Sequence, residues 1–122
     1  MAQPVPAALK VAKEMVPDKG VVILTVKGDL DAHTTKALHE AISELFDAQQ
    51  HKLIVDMANV NYMSSAGASL FLGVQSEAKE AAGDVVLLQP SSAIRYVLDL
   101  LGLASRFHIA ETKESALAVF QE

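Results

Sequence analysis

Short β-branched apolar runs alternate along this chain with stretches whose apolar residues recur at the helical period, and that alternation leaves few folds open. Val21-Val22-Ile23-Leu24-Thr25-Val26 lies between the turn cluster Pro17-Asp18-Lys19-Gly20 and Gly28-Asp29-Leu30-Asp31, and reads as a buried strand. Lys52-Leu53-Ile54-Val55-Asp56 and Val85-Val86-Leu87-Leu88 read the same way, and Phe107-His108-Ile109 reads as a brief edge strand. Leu9 and Val11 suggest a first strand over residues 8–16, after a short extended lead-in at 1–7 that holds Pro4 and Pro6. Between the strands, Ala37, Leu38, Ala41, Ile42, Leu45 and Phe46 form one stripe of a helix over 33–48. Asn59 to Met63 form a connection to a second helix over 65–82, with Gly67, Leu70, Phe71, Val74, Ala78 and Ala81 inward. Pro90-Ser91-Ser92 opens a third helix, with Ile94, Val97, Leu98 and Leu101 inward and Gly102 as its end. A last helix over 112–120 buries Ala116, Leu117 and Phe120. The order β-β-α-β-α-β-α-β-α predicts one α/β domain over 8–122, with about five strands in a central sheet and about four covering helices.

Composition narrows the function. The 122 residues are 51% apolar and 20% charged, which suits one globular core and not a disordered chain. Lys plus Arg is 10 and Asp plus Glu is 15, a net charge of −5, with no basic cluster. Nucleic acid and anionic membrane surfaces are therefore unfavourable partners. With 0 cysteines, disulfides and thiolate chemistry are excluded. The Met1-Ala-Gln-Pro-Val-Pro6 start has no basic n-region, and no apolar run approaches ~20 residues. The expectation is a soluble cytoplasmic domain with no membrane insertion; nothing in the sequence sets its oligomeric state.

Enzyme chemistry finds no framework. The six glycines never make Gly-x-Gly-x-x-Gly, and no P-loop is present. His33, His39, His51 and His108 make neither His-x-x-x-His nor His-Glu-x-x-His, so no metal is expected and each reads as a surface or boundary side chain. Tyr62-Met63-Ser64-Ser65-Ala66-Gly67 lacks the first glycine of a nucleophile elbow. The expectation is a protein with no catalytic residues and no cofactor.

The junction at Ser64-Ser65-Ala66-Gly67 has two readings. Serine is a favoured N-cap, because its oxygen accepts from the free N–H groups of a first helical turn, worth about 1 kcal/mol. The same free N–H groups and the positive end of the helix dipole also suit a phosphate held on serine. Asp29, Asp31 and Asp56 are expected near the ends of neighbouring strands, where a phosphoserine would add to their charge. If Gly67, Leu70, Phe71, Val74 and Ala78 face the sheet, Ala68, Leu72 and Gln75 lie away from it or on the flank of the second helix. Leu72 then either docks a partner or packs on a neighbouring helix. Asp29, Asp31 and Thr34 either face a partner or are solvated turn residues.

Three segments in order resemble the STAS family, and within it the bacterial anti-sigma factor antagonists: Gly28-Asp29-Leu30-Asp31, Leu53-Ile54-Val55-Asp56 through Val60-x-Tyr62-Met63 into Ser64-Ser65-Ala66-Gly67, and Leu98-x-x-Leu101-Gly102-Leu103-x-x-x-Phe107. The resemblance runs from about residue 8 to residue 120. It implies a central mixed sheet and a protein–protein switch. The unphosphorylated domain would bind an anti-sigma factor, often itself a serine kinase, and release the sigma factor. The family's phosphorylated serine falls on Ser65, with Ser64 replacing an aspartate and standing as second choice or as the true N-cap. A serine phosphatase would reverse the modification. Ser64, Asp29, Asp31, Thr34, Ala68, Leu72 and Gln75 would form the partner surface. The second implied role is a constitutive STAS assembly subunit of a lipid-transport or stress-signalling complex, with Ser65 only a cap.

Overall fold

A computed structural model describes residues 9–120. The expected lead-in at 1–7 lies outside the described residues. The elements follow the expected order: β1 (Lys10–Val16), β2 (Val21–Leu30), α1 (Thr35–Asp47), β3 (Lys52–Met63), α2 (Ser65–Glu80), β4 (Asp84–Leu88), α3 (Ser92–Leu100), β5 (His108–Ala110) and α4 (Lys113–Ala118). The five strands form one mixed sheet in the order β1-β2-β3-β4-β5. β1 is antiparallel to β2, and every other neighbouring pair is parallel.

Each crossover steps one strand along the sheet in the same direction. With the usual right-handed connection, that places all three crossover helices on one face. Val22, Leu24, Val26, Leu53, Val55, Val85 and Leu87 accordingly share the main core with residues of α1, α2 and α3. Their neighbours Val21, Ile23, Ile54, Val86 and Leu88 point to the other face and pack with Ala110 and with Ala116 of α4. Burial on both faces explains why the central strands read as continuous apolar runs rather than alternating ones.

Two strands are longer than the sequence suggests. β2 continues through Gly28-Asp29-Leu30, and Asn59 to Met63 are strand rather than connection. Between the pairs Thr25↔Asp56 and Lys27↔Asn59, and again between Gly28↔Val60 and Asp29↔Tyr62, β3 supplies one more residue than β2. These bulges break the side-chain alternation and hide the strand from pattern reading. Asp56 holds the first of them by accepting the Ala58 N–H at 3.1 Å. Gly28 sits at the second with φ 121°, a conformation open to glycine.

Helix α2 buries a wider arc than its apolar stripe. Gly67, Phe71, Val74 and Ala78 are buried as expected, but Leu70 is only half-buried, and Ala81 is exposed beyond the helix end. Ala68 and Gln75 are buried instead of lying on the outer flank, which corrects their expected placement. The reason is crowding. α1 lies along α2, and the turn at Ala104–Arg106 closes over it, where Gln75 Nε2 donates to the Arg106 carbonyl at 2.7 Å. In α3, Ile94 and Leu98 are buried and Val97 is half-buried, while Leu101 is exposed just beyond the helix.

Candidate functional site

The ladder of β4 with β3 ends at Leu88, opposite Asp56, and that of β1 with β2 ends at Lys27. Beyond those points β2 and β3 continue as a two-stranded parallel extension, ending in the pairs Asp29↔Tyr62 and Leu30↔Met63. Ser64 and Ser65 follow directly at its tip. The Ser64 N–H donates to the Leu30 carbonyl at 2.8 Å, so the start of α2 is tied to the end of β2.

Gly67 makes the closeness possible. A Cβ there would come within 2.7 Å of Met63 Cγ and 3.2 Å of Leu30 Cβ. Leu30 and Met63 are both buried, so the first turn of α2 rests directly on the strand ends.

The two serines differ. Ser64 is the N-cap residue with extended backbone (φ −85°, ψ 175°), yet its side chain makes no cap hydrogen bond. Its Oγ is buried and has no hydrogen-bond partner among the described residues. Ser65, the first residue of the helix, is exposed. The first bond within the helix runs from the Ala68 N–H to the Ser64 carbonyl. The N–H groups of Ser65, Ala66 and Gly67 are therefore those a helix start leaves available, at the positive end of a helix of 16 residues.

On the neighbouring strand, Asp29 is exposed and Asp31 half-buried. Asp31 Oδ1 accepts the N–H groups of His33 at 2.8 Å and Thr34 at 3.0 Å. The Thr34 hydroxyl donates to the Asp29 carbonyl at 2.6 Å and accepts the Asp31 N–H at 2.9 Å. Thr34 thus knits the loop before α1. The N–H donors of Thr34, then of His33, hold the Asp31 carboxyl below its ordinary value of 3.8. The tip therefore carries exposed anionic charge beside a helix N-terminus.

Of the residues singled out from sequence, Asp29, Asp31, Thr34, Ser64 and Ser65 come together here. Leu72 is half-buried against the main core, about 10 Å further along α2 from Ser65. Asp56 stands apart: it is eight residues before Ser64 in an extended strand, up to roughly 26 Å away. Sequence reasoning passed over Tyr62, which is 53% exposed and opposite Asp29. An aromatic side chain in a segment read as a connection gave no signal for it.

An open hollow of about 380 Å³ lies at the opposite end of the domain, lined by Asp47, His51, Glu77 and Glu80 among others. No group of His, Asp and Glu among the described residues is placed to hold a metal ion. No helix among them is long and apolar enough to cross a membrane.

Comparison with known proteins bears on the site. A family model described as the STAS domain matches residues 12–116. The anti-sigma F factor antagonist of Lysinibacillus sphaericus is 32% identical over 105 residues, which cover 85% of this chain and 88% of that protein. The anti-sigma factor antagonist SpoIIAA in its unphosphorylated form superposes with a TM-score of 0.76 at 27% identity, covering 90% of this chain and 95% of the other. The phosphorylated form of SpoIIAA from Bacillus matches with a TM-score of 0.71 at 28% identity, covering 92% of this chain and 100% of the other.

Proposed function

The chain belongs to the STAS domain family, and from that premise we propose that it is an anti-sigma factor antagonist switched by phosphorylation of Ser65. The unphosphorylated form binds an anti-sigma factor that is also a serine kinase, and so frees the sigma factor. The kinase transfers the γ-phosphoryl group of ATP to Ser65 Oγ, releasing ADP and a proton. A serine phosphatase hydrolyses the phosphoserine with water and returns the binding form. The chain is the substrate of both reactions.

One observation carries this reading: of two adjacent serines at the start of α2, Ser65 is exposed and the Ser64 oxygen is buried. A kinase needs the hydroxyl in solvent, so Ser65 is the acceptor. SpoIIAA, which shares the fold, is known in phosphorylated and unphosphorylated forms. A phosphate on Ser65 adds about −1.5 to −2 charge at neutral pH. The helix N-terminus receives it favourably, so the domain stays folded. Asp29 and Asp31 already make the tip acidic, and the added charge changes what can dock there. A like-charge clash across an interface costs several kcal/mol, and about 2.7 kcal/mol is already roughly 100-fold in affinity. No large conformational change is needed.

The proposed contact surface is Ser65 with Asp29, Asp31 and the Thr34 loop, flanked by Leu72. Ala68 supports it from beneath and Ser64 fixes the helix start through its N–H, while Gln75, about 15 Å further along α2 and bound to the Arg106 carbonyl, holds the far part of the helix in place.

The test is peptide mapping by mass spectrometry of the protein from its native host, with a binding assay on variants. Phosphate on Ser65, and at least about 10-fold weaker partner binding by Ser65→Asp than by Ser65→Ala, is the expected result. Phosphate on Ser64 would move the acceptor. No phosphate in any growth condition, with one partner retained throughout, would replace the switch with a constitutive assembly subunit.

A further inference from the structure

Five large apolar side chains are strongly exposed among the described residues, and three of them, Tyr96 at 63%, Leu100 at 67% and Leu101 at 46%, fall within six positions on or just after α3. Single exposed apolar residues are ordinary, but a cluster marks a contact surface. Ala93, Tyr96 and Leu100 are spaced i, i+3, i+7 and so lie along one side of the helix, opposite the buried Ile94 and Leu98. The stripe shares no residue with the Ser65 site.

The charges beside the stripe point to its occupant. Arg95 and Asp99 are one turn apart on the same flank, both exposed. We infer that this face of α3 docks on the same face of a second copy of the chain, with the two helices antiparallel about a two-fold axis. Such an axis sets Tyr96 of each copy on Leu100 of the other. It also sets Arg95 of each copy beside Asp99 of the other, so one pattern of residues satisfies itself twice. In antiparallel helix pairs, residues on matching flanks meet across the seam, and opposite charges there fix the orientation. Arg95 is held by a 2.6 Å ion pair from one terminal nitrogen to Glu111. A guanidinium has five donors, so others remain for Asp99 of the second copy. Self-complementarity of this kind is what a two-fold contact between identical chains requires.

The contact is small. α3 has 9 residues, which makes it about 13 Å long, too short for the ~1,200 Å² of a standard stable interface. Association is therefore weak and concentration-dependent.

Sedimentation equilibrium of the full chain between about 1 μM and about 1 mM tests this. The average mass should rise from 13.0 kDa toward twice that value. Leu100→Glu should raise the dissociation constant at least about 10-fold. Arg95→Asp and Asp99→Arg should each weaken association, and the double variant Arg95→Asp/Asp99→Arg should restore it, because the swap rebuilds both cross-copy pairs. All these positions are exposed, so the variants fold, and circular dichroism checks this. A constant monomer mass, association unaffected by Leu100→Glu, or a double swap that fails to recover would each overturn the inference.

Discussion

Two helices of this domain begin with the same three residues. Ser64-Ser65-Ala66 opens α2 and Ser91-Ser92-Ala93 opens α3, each at the C-terminal end of a parallel strand. In α3 the first serine caps: Ser91 Oγ accepts the Ile94 N–H at 3.3 Å. In α2 the first serine does not cap, and its Oγ is buried without a partner among the described residues. The residue three places after the cap differs as well. In α3 it is Ile94, whose side chain enters the core, and in α2 it is Gly67, which rests on Met63 and Leu30. One start is an ordinary helix cap, and the other is pressed onto two strand ends. The pressed one carries the exposed serine proposed as the switch. Local sequence alone could not separate them, because capping propensity is equal for the two tripeptides.

The largest change should come from filling the close approach. Gly67→Val should destabilise the domain by about 2–3 kcal/mol, because the added carbons meet Met63 and the Leu30 Cβ. Urea denaturation checks it. Gly73, in the same helix, has nothing within 4 Å of an added Cβ, so Gly73→Ala should instead stabilise by about 0.5–1 kcal/mol. Equal effects at the two glycines would mean that the α2 start is not tightly seated.

Ser91→Ala should cost about 1 kcal/mol, the usual loss on removing a working cap. Ser64→Ala should cost nothing, and should gain up to about 1 kcal/mol by removing an unpaired buried hydroxyl. Thermal unfolding of the two variants side by side reads this difference. A loss at Ser64 matching that at Ser91 would show that both serines cap in solution, and the contrast would fail.

The smallest effect concerns the loop facing Ser65. The folded-state value of Asp31 is depressed, so its stabilising contribution is present above 3.8 and is lost as pH falls through the lower folded value. Asp31→Asn keeps an acceptor but no charge. Its stability should vary less than wild type below about pH 4, measured as denaturation midpoints over a pH series. Parallel profiles would mean the loop does not hold the carboxylate.

Much of the fold is legible in the residues. Val21 to Leu24 and Val85 to Leu88 announce central strands because burial on both faces admits only apolar side chains. Leu38, Ile42, Leu45 and Phe46 announce the inner face of α1 for a different reason: a helix that buries one side repeats its apolar residues every three to four positions. The ends of β2 and β3 were not legible. Gly28, Asn59 and Asn61 read as turn residues, and the strands extend there only because β2 and β3 supply each other's hydrogen bonds across bulges. Ala68 and Gln75 were misplaced because a single-helix projection knows nothing of α1 or of the Arg106 carbonyl on either side of α2.

The sequence by itself determined the order of elements, the sheet with its helices and the presence of two serines at a helix start, since these follow from local periodicity and turn chemistry. The tertiary structure alone decided which serine is exposed. That choice depends on how closely α2 approaches Leu30 and Met63, residues that reach the site from two different strands. A contact between segments distant in sequence leaves no periodic trace in either of them.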